Sequence, residues 1–378
     1  MPVRPQLKSV LWERVGDSLR LVYDVRDQLM IADPDGGVER LLALLREGGR
    51  TVAELAEAMG LPAEDIMAGL AVFDDHRLLE DGERLGGYTG AAAERHFSNL
   101  AFFESFATLA TSREDFQRRL ADAHVLVLGT GGLNSNTIPH LCGLGIGRLT
   151  LLDRDVVEPR NFARQYLYTQ ADLGATKVER AGAWVRAFDP SIEVATVTAG
   201  IDGPDAVSAL VERYRPDVVM SGVDSPTSID DWVNDACVAA GVPFVRGGMY
   251  VTQGVVWSVD PGRSACRACG RSAPALDPDD PELAAARLLN TRPQTNRGIG
   301  PVAGLLGALC AFEVLRLLTR FEPPAYAGRP MLIDFAAGCT TSRGEWVRDP
   351  ACPICGDRAP AEPVPAAAAM SGGGGDRT

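Results

Sequence analysis

The rhythm of apolar and polar positions changes along the chain. Up to about residue 90, short apolar runs come first: Val10–Trp12, Leu19–Tyr23 and Gln28–Ile31, separated by polar turns such as Val15-Gly16-Asp17. They predict small antiparallel strands. Helical spacing follows. Leu41, Leu42, Leu44 and Leu45 form one apolar face that Gly48-Gly49 ends. Thr51-Val52-Ala53-Glu54 reads as a capping box opening a second helix, with Leu55 and Met59 on one face. Pro62 starts a third, with Ile66, Leu70 and Phe73 on its buried side. Strands followed by three short helices predict a small winged-helix-like domain over residues 1–90.

From 95 to 356 the pattern alternates short apolar strands with helical stretches. The strand candidates are Val125–Leu128, Leu149–Leu152, Val194–Val197, Val218–Met220, Phe244–Val245, Val255–Trp257 and Met331–Phe335. Such alternation predicts an α/β fold with a doubly wound, Rossmann-like parallel sheet. The apolar helix Val302–Leu318 is expected to lie in the core or at a dimer interface. The tail, 357–378, is rich in Pro, Ala and Gly and is expected to be disordered. No run of about 18 apolar residues is free of charge, and the first twenty residues lack a signal-peptide core. The expectation is a cytoplasmic protein without a membrane partner.

The composition, 46% hydrophobic and 23% charged, is that of a globular chain and excludes fibrous or wholly disordered classes. A net charge of −13 argues against a nucleic-acid partner held through its phosphates. Cys142, Cys237, Cys310 and Cys339 stand singly. The other four form two CxxC pairs, Cys266/Cys269 and Cys352/Cys355, with 82 residues between them. Each pair can supply two thiolates to one edge of a tetrahedral Zn²⁺, and a Cys₄ set leaves no open position, so the metal would be structural. Redox dithiols are the alternative, but neither CxxC opens a thioredoxin-like strand–helix unit.

The strongest chemical signal follows the first of the α/β strands. His124–Leu128 runs into Gly129-Thr-Gly131-Gly132-Leu-Asn-Ser135, and a second strand ends in Asp153, 24 residues after Gly129. A glycine turn between strand and helix lets backbone N–H groups approach a phosphate, and a carboxylate at that spacing suits ribose hydroxyls. A tight structural turn would also explain the glycines. Next come Asp155, Glu158, Asn161, Arg164 and Gln165, then Leu173-Gly174 and Lys177. Such cations can neutralise a departing pyrophosphate while amides orient it. A solvated charged loop is the bland alternative.

In these segments, GTGGLNS, DRDVVEPRNFARQ, LGATK, the Asp of SGVDS and the paired CxxC, the chain resembles the ThiF/MoeB family of ubiquitin-activating-type adenylating enzymes. The resemblance runs from about Arg95 to Gly356. It implies ATP-dependent adenylation of a C-terminal carboxylate by a homodimer. Gly129, Gly131, Gly132 and Asp153 would hold the adenosine part, with Asp155 beside them. Asn161, Arg164, Gln165 and Lys177 would contact phosphate, and Asp224 would help hold Mg²⁺ near the α-phosphate. Arg164, Lys177 and Asp224 are thus the expected catalytic residues. Without the resemblance, Asp224 reads as a helix cap, since Ser225-Pro226 follows.

Three departures stand out. Arg271 to Gly298 holds no cysteine where thioester-forming relatives carry one. Arg95-His96-Phe97-Ser98-Asn99 keeps only the first arginine of the segment that supplies an arginine finger to the dimer partner. Asn134 stands where the glycine loop usually has another glycine. Arg246 and Gln253 could face a substrate tail or simply lie at the surface.

Residues 6–85 resemble PqqD-like peptide-recognition domains, on their element order and on LLALLREGGRTVAELAEAM. Such domains take a leader peptide as an added strand. DNA binding, the other use of a winged helix, is disfavoured by 11 Lys/Arg against 18 Asp/Glu over residues 1–95. The function expected is therefore ATP-dependent adenylation of a peptide carboxylate in ribosomal peptide natural-product maturation. The partner would be a precursor peptide or a small carrier protein. The alternatives are a catalytically weak scaffold that hands a leader peptide to a cyclodehydratase, and an activator of a ubiquitin-like sulfur carrier.

Overall fold

The computed structural model describes residues 2–24, 27–250, 252–272 and 298–356. The tail expected to be disordered and most of the cysteine-free stretch after Arg271 lie outside the described residues. The described chain divides into two compact units, one up to Arg119 and one from Leu120.

The first unit opens with β1 (Pro5–Leu7), β2 (Leu11–Val15), β3 (Ser18–Asp24) and β4 (Asp27–Ala32). The last three form an antiparallel meander in which Trp12 faces Leu21 and Leu21 faces Leu29. Helices α1 (Gly37–Glu47), α2 (Val52–Met59) and α3 (Ala63–Asp75) follow, then β5 (Leu79–Asp81), which pairs antiparallel with β1. The capping box of α2 forms as read: Glu54 N donates to Thr51 Oγ1 at 3.3 Å and Thr51 N to Glu54 Oε2 at 2.7 Å. Leu19, Leu42, Leu45, Leu55 and Leu79 are fully buried between these elements.

Three more helices, α4 (Gly90–Arg95), α5 (Phe97–Glu104) and α6 (Arg113–Asp122), come next. By their contacts these helices belong with the first unit, which runs to Arg119. The cause is a set of contacts that tie these helices back. Phe103 packs on Phe116 at 5.3 Å, Arg113 pairs with Glu80 and Glu104, and Glu114 accepts from the N–H groups of Gly86 and Gly87.

The second unit is built on an eight-stranded sheet. Its strands are β6 (His124–Leu128), β7 (Arg148–Leu152), β8 (Glu193–Val197), β9 (Val218–Ser221), β10 (Phe244–Tyr250), β11 (Gln253–Val259), β12 (Met331–Asp334) and β13 (Thr340–Arg343), in the order β13-β12-β11-β10-β9-β6-β7-β8. The five from β10 to β8 are parallel. β6 is buried at every position, as a strand covered on both faces must be. The sheet differs from the all-parallel expectation at one edge, where β11, β12 and β13 run antiparallel. Two residues separate β10 from β11, and so short a connection can join only antiparallel neighbours.

The crossovers run through α7 (Asn134–Leu144), α8 (Lys177–Phe188), α9 (Pro204–Tyr214) and α10 (Ile229–Ala240). α7 packs with α8, and α9 with α10, as right-handed crossovers running first toward one edge of the sheet and then back toward the other require. A short helix, α11 (Arg267–Ser272), precedes α12 (Gly300–Thr319), which packs along α7 and over β9 to β11. Among the described residues α12 alone is long and apolar enough to cross a membrane, yet most of it is buried in the protein. Its fully buried Glu313 accepts from Ser258 Oγ at 2.6 Å and from the N–H groups of Ala325 and Tyr326. That is a structural role, which an acid at this depth needs.

Candidate active site

β6 and β9 lie side by side, but the chain leaves them toward opposite edges of the sheet. Such a switch point opens a crevice at the carboxyl ends of the strands, the usual ligand position of this architecture. Here the cleft measures about 1010 Å³, and all its lining residues belong to the second unit.

Its floor is the glycine turn. Gly129 has φ 80°, and a Cβ there would lie 3.1 Å from Val223. At Gly132 a Cβ would sit 2.8 Å from Arg164 Nε, so the bare backbone is what lets the arginine lie against the turn. Asn134, which stood out as a departure, closes the loop rather than disturbing it. Fully buried, its Nδ2 donates to the carbonyls of Leu128 at 3.1 Å and Gly129 at 2.7 Å. It fits because Gly222 carries no side chain: a Cβ there would be 2.6 Å from the same nitrogen.

Asp153 is held by Thr130, which the sequence reading passed over. The Thr130 N–H and hydroxyl donate to Asp153 Oδ2 at 2.7 and 3.0 Å, and Asp155 N donates to Oδ1 at 2.9 Å. Tyr168 in turn donates its hydroxyl to the Thr130 carbonyl at 2.7 Å, and burial pushes that phenol well above its ordinary pKa. A hydroxyl between two glycines was the available signal for Thr130.

The charged segment lines the same cleft. Lys177, 5% exposed in the first turn of α8, pairs with Asp155 Oδ2 at 2.9 Å. Asn161 is buried, its Oδ1 accepting from Glu158 N. Gln165 is 2% exposed on the cleft wall, and its Oε1 has no hydrogen-bond partner among the described residues. Buried amide oxygens are normally paired, so this wall suits a ligand that brings donors or a hydrated cation. Burial lowers the Arg164 pKa and the charge of Asp224 opposes that shift. Asp224 is exposed on the wall; α10 starts from Ser228 without a side-chain cap, so Asp224 does not cap it.

The structure thus brings Gly129, Gly131, Gly132, Asp153, Asp155, Asn161, Arg164, Gln165, Lys177 and Asp224 to one cleft. It adds lining residues the sequence did not single out, among them Arg154, Arg160, Gly200, Asp202 and Trp232. Gly200 to Asp202 could have been found from their place just after β8, on the same end of the sheet. Arg246 is turned to Asp230 at 2.7 Å, and Gln253 is exposed at the start of β11. Arg95 ends α4 in the first unit.

The two CxxC pairs converge. Cys266, Cys269, Cys352 and Cys355 are all buried, with their sulfurs within 4.8 Å of one another. The Sγ separations for 266–269, 266–352 and 269–355 are 3.9, 3.7 and 3.4 Å. Thiolates about 2.3 Å from a tetrahedral ion stand about 3.8 Å apart, so the donor set and its spacing fit such an ion with no position left open. The first pair is moored to α10: Arg267 N donates to Asn234 Oδ1 and Arg267 Nε to Asp231 Oδ1, both at 2.9 Å. Arg348 bonds the carbonyls of Gly262 and Cys355, tying the two knuckles together.

Comparison with known proteins agrees with this geometry. The pattern of the ThiF family matches residues 104–353. The SAMP-activating enzyme E1 of Haloferax volcanii is 32% identical over 244 residues, which cover 64% of this chain and 83% of that one. The molybdopterin-synthase adenylyltransferase of Salmonella typhimurium is 31% identical, over 64% of this chain and 90% of its own length. Among solved structures, that of E. coli MccB superposes with a TM-score of 0.74 at 21% identity, covering 94% of this chain and 98% of that one, a likeness of fold. A switch-point cleft with a glycine floor, a basic wall and a nearby four-cysteine cluster, set on this fold, belongs to a chain of the ThiF family, an ATP-dependent adenylyltransferase.

Proposed function

We propose that the protein adenylates the C-terminal carboxylate of a peptide, as a step in maturing a ribosomally made peptide product. The observation that carries this is the cleft itself, where Arg164 lies against the Gly132 backbone with Lys177, Asn161, Gln165 and Asp224 in the same wall. For the substrate, support comes from coverage. The Haloferax and Salmonella relatives match 64% of the chain, whereas the MccB fold, which has also been solved with ATP and with MccA, covers over nine-tenths of it. The first unit, whose meander ends in the largely exposed edge strand β2, would hold the precursor peptide in the manner of a PqqD-like module.

In the reaction a carboxylate oxygen attacks the α-phosphorus of ATP. The bond from that phosphorus to the bridging oxygen breaks, and pyrophosphate leaves with the electron pair, so no proton need move. The chain's part is positioning and charge. The glycine turn and Asp153 hold the nucleoside, Asn161 and Gln165 orient the phosphates, and Arg164 and Lys177 neutralise the leaving group. A Mg²⁺ held by Asp224 would offset charge at the α-phosphate. The four cysteines would hold a structural Zn²⁺, and the protein would act as a homodimer. With no cysteine between Arg271 and Gly298, the product would stay an acyl-adenylate or pass to another nucleophile.

A second reading, activation of a small sulfur-carrier protein, is favoured by the names of the Haloferax and Salmonella relatives. A third is a leader-peptide scaffold without strong adenylation. ATP–pyrophosphate exchange, measured with a precursor peptide, with a carrier ending in Gly-Gly and with neither, separates the three. Exchange that needs the peptide and drops at least a hundredfold in Arg164→Ala is the expected result (about 3 kcal/mol of transition-state stabilisation). Exchange with the carrier alone moves the assignment to sulfur transfer. Tight peptide binding without exchange leaves the scaffold.

A further inference from the structure

Four basic side chains line the cleft, and they are held very differently. Lys177 is buried at the start of α8 and paired with Asp155. Arg164 is pinned against the Gly132 backbone. Arg154 is exposed too, but it lies against the backbone of Gly200, its Cδ 3.0 Å and a terminal guanidinium nitrogen 3.1 Å from where a Gly200 Cβ would be. Arg160 is a long arm at the rim. Its side chain is 80% exposed, and the pairing the structure shows for it is with Glu158, Nε to Oε2 at 2.7 Å.

That pairing is easily exchanged. Arg160 sits in the single helical turn Pro159–Asn161, anchored from both sides: Asn161 N donates to the Glu158 side chain and Glu158 N to Asn161 Oδ1. Glu158 therefore keeps a backbone donor when the guanidinium leaves. A solvent-exposed ion pair is worth little, whereas a polyphosphate offers a planar fork two parallel charge-assisted hydrogen bonds. Arg160 lines the same cleft as Arg164, and its charge is felt there.

We propose that Arg160 is a mobile cation for the triphosphate: it leaves Glu158 when ATP enters and grips the β- and γ-phosphates. It deepens the proposed function, on which it rests for the identity of the nucleotide. It also gives the chain, from within its own cleft, a cation in a phosphate site whose family segment has lost its second arginine near Ser98.

The test is calorimetric titration of the full-length protein with MgATP and, separately, with AMP, for wild type, Arg160→Ala and Arg160→Lys. AMP lacks the two phosphates at issue. In Arg160→Ala the ATP dissociation constant rises about tenfold while that for AMP stays within about twofold, and Arg160→Lys recovers part of the loss. The side chain is exposed, so its removal leaves the fold intact, and unchanged AMP binding checks this directly. An unchanged ATP affinity, or equal weakening for both nucleotides, overturns the proposal. A wild type that binds no ATP overturns it together with the cleft assignment. The stated pattern in a protein that shows no pyrophosphate exchange would support Arg160 while rejecting the adenylation reading.

Discussion

Gly132 and Asn134 do opposite work in one loop. Gly132 is needed for what it lacks, since a methyl there would press within 2.8 Å of Arg164 Nε and 3.1 Å of its Cδ. Its φ is not in the left-handed region, so Gly132→Ala strains no backbone, and the whole effect falls on the arginine. The expected outcome is a loss of ATP affinity of about tenfold with a melting temperature within about 2 °C of wild type. Gly131→Ala is the comparison, because its nearest neighbour would be Gln165 at 4.0 Å. Equal affinities for Gly132→Ala and wild type would show that Arg164 is not positioned by this contact. At this scale the glycines, Asp153 and the basic segment were legible, because their chemistry is written in residue type and spacing. The clamp by Asn134 was not. It depends on two carbonyls behind it and on Gly222, some ninety residues away, having no side chain.

Among elements, the CxxC pairs join parts of the chain that no periodicity connects. One pair precedes and enters α11, the other follows β13, and their sulfurs meet next to α10, whose first turns carry Trp232 into the cleft wall. The four sulfurs stand at the spacing of tetrahedral thiolate ligation, so the cluster is expected to bind one zinc per chain. Cys352→Ser is expected to leave well under half a zinc per chain by elemental analysis, and to lower the melting temperature by 10 °C or more (roughly 3 kcal/mol or above). Full zinc content in the serine variant would exclude a closed four-cysteine site. The spacing of the cysteines announced their chemistry. The antiparallel edge formed by β11 to β13 escaped the strand pattern, because alternation gives the presence of a strand and only connection length gives its direction.

At the scale of whole folding units, the first one is closed by a buried charged cluster. Lys8 is 4% exposed, its ammonium donating to the carbonyls of Arg77 and Ala107. Around it stand Glu80, Glu104, Asp74 and Arg113, with Tyr23 bonded to Glu104 at 3.1 Å. Burial pulls the Lys8 pKa down to about 8 against the acids that raise it, and burial pushes Tyr23 up to about 12. The lowered lysine gives up its proton in the folded unit before the unfolded chain does, so its penalty is constant below pH 8 and stability recovers as pH rises toward 10.5. The raised tyrosine acts the other way, and only above about pH 10. Unfolding in denaturant should therefore show the unit gaining on the order of 2–3 kcal/mol between pH 8 and 10, a gain absent in Lys8→Met. A flat profile in the wild type would mean that Lys8 is not buried as a cation. What the sequence determined by itself was the kind of elements, the glycine turn, the acid at the second strand end, the basic segment and the cysteine pairs, since each is a local consequence of residue type, period or spacing. Tertiary structure alone decided the rest. It set the boundary at Arg119, because Phe103, Arg113 and Glu114 return to the first unit, and it paired β1 with β5 across more than seventy residues. It chose which cations are held and which is left at the rim, because that depends on neighbours brought in from other strands and turns.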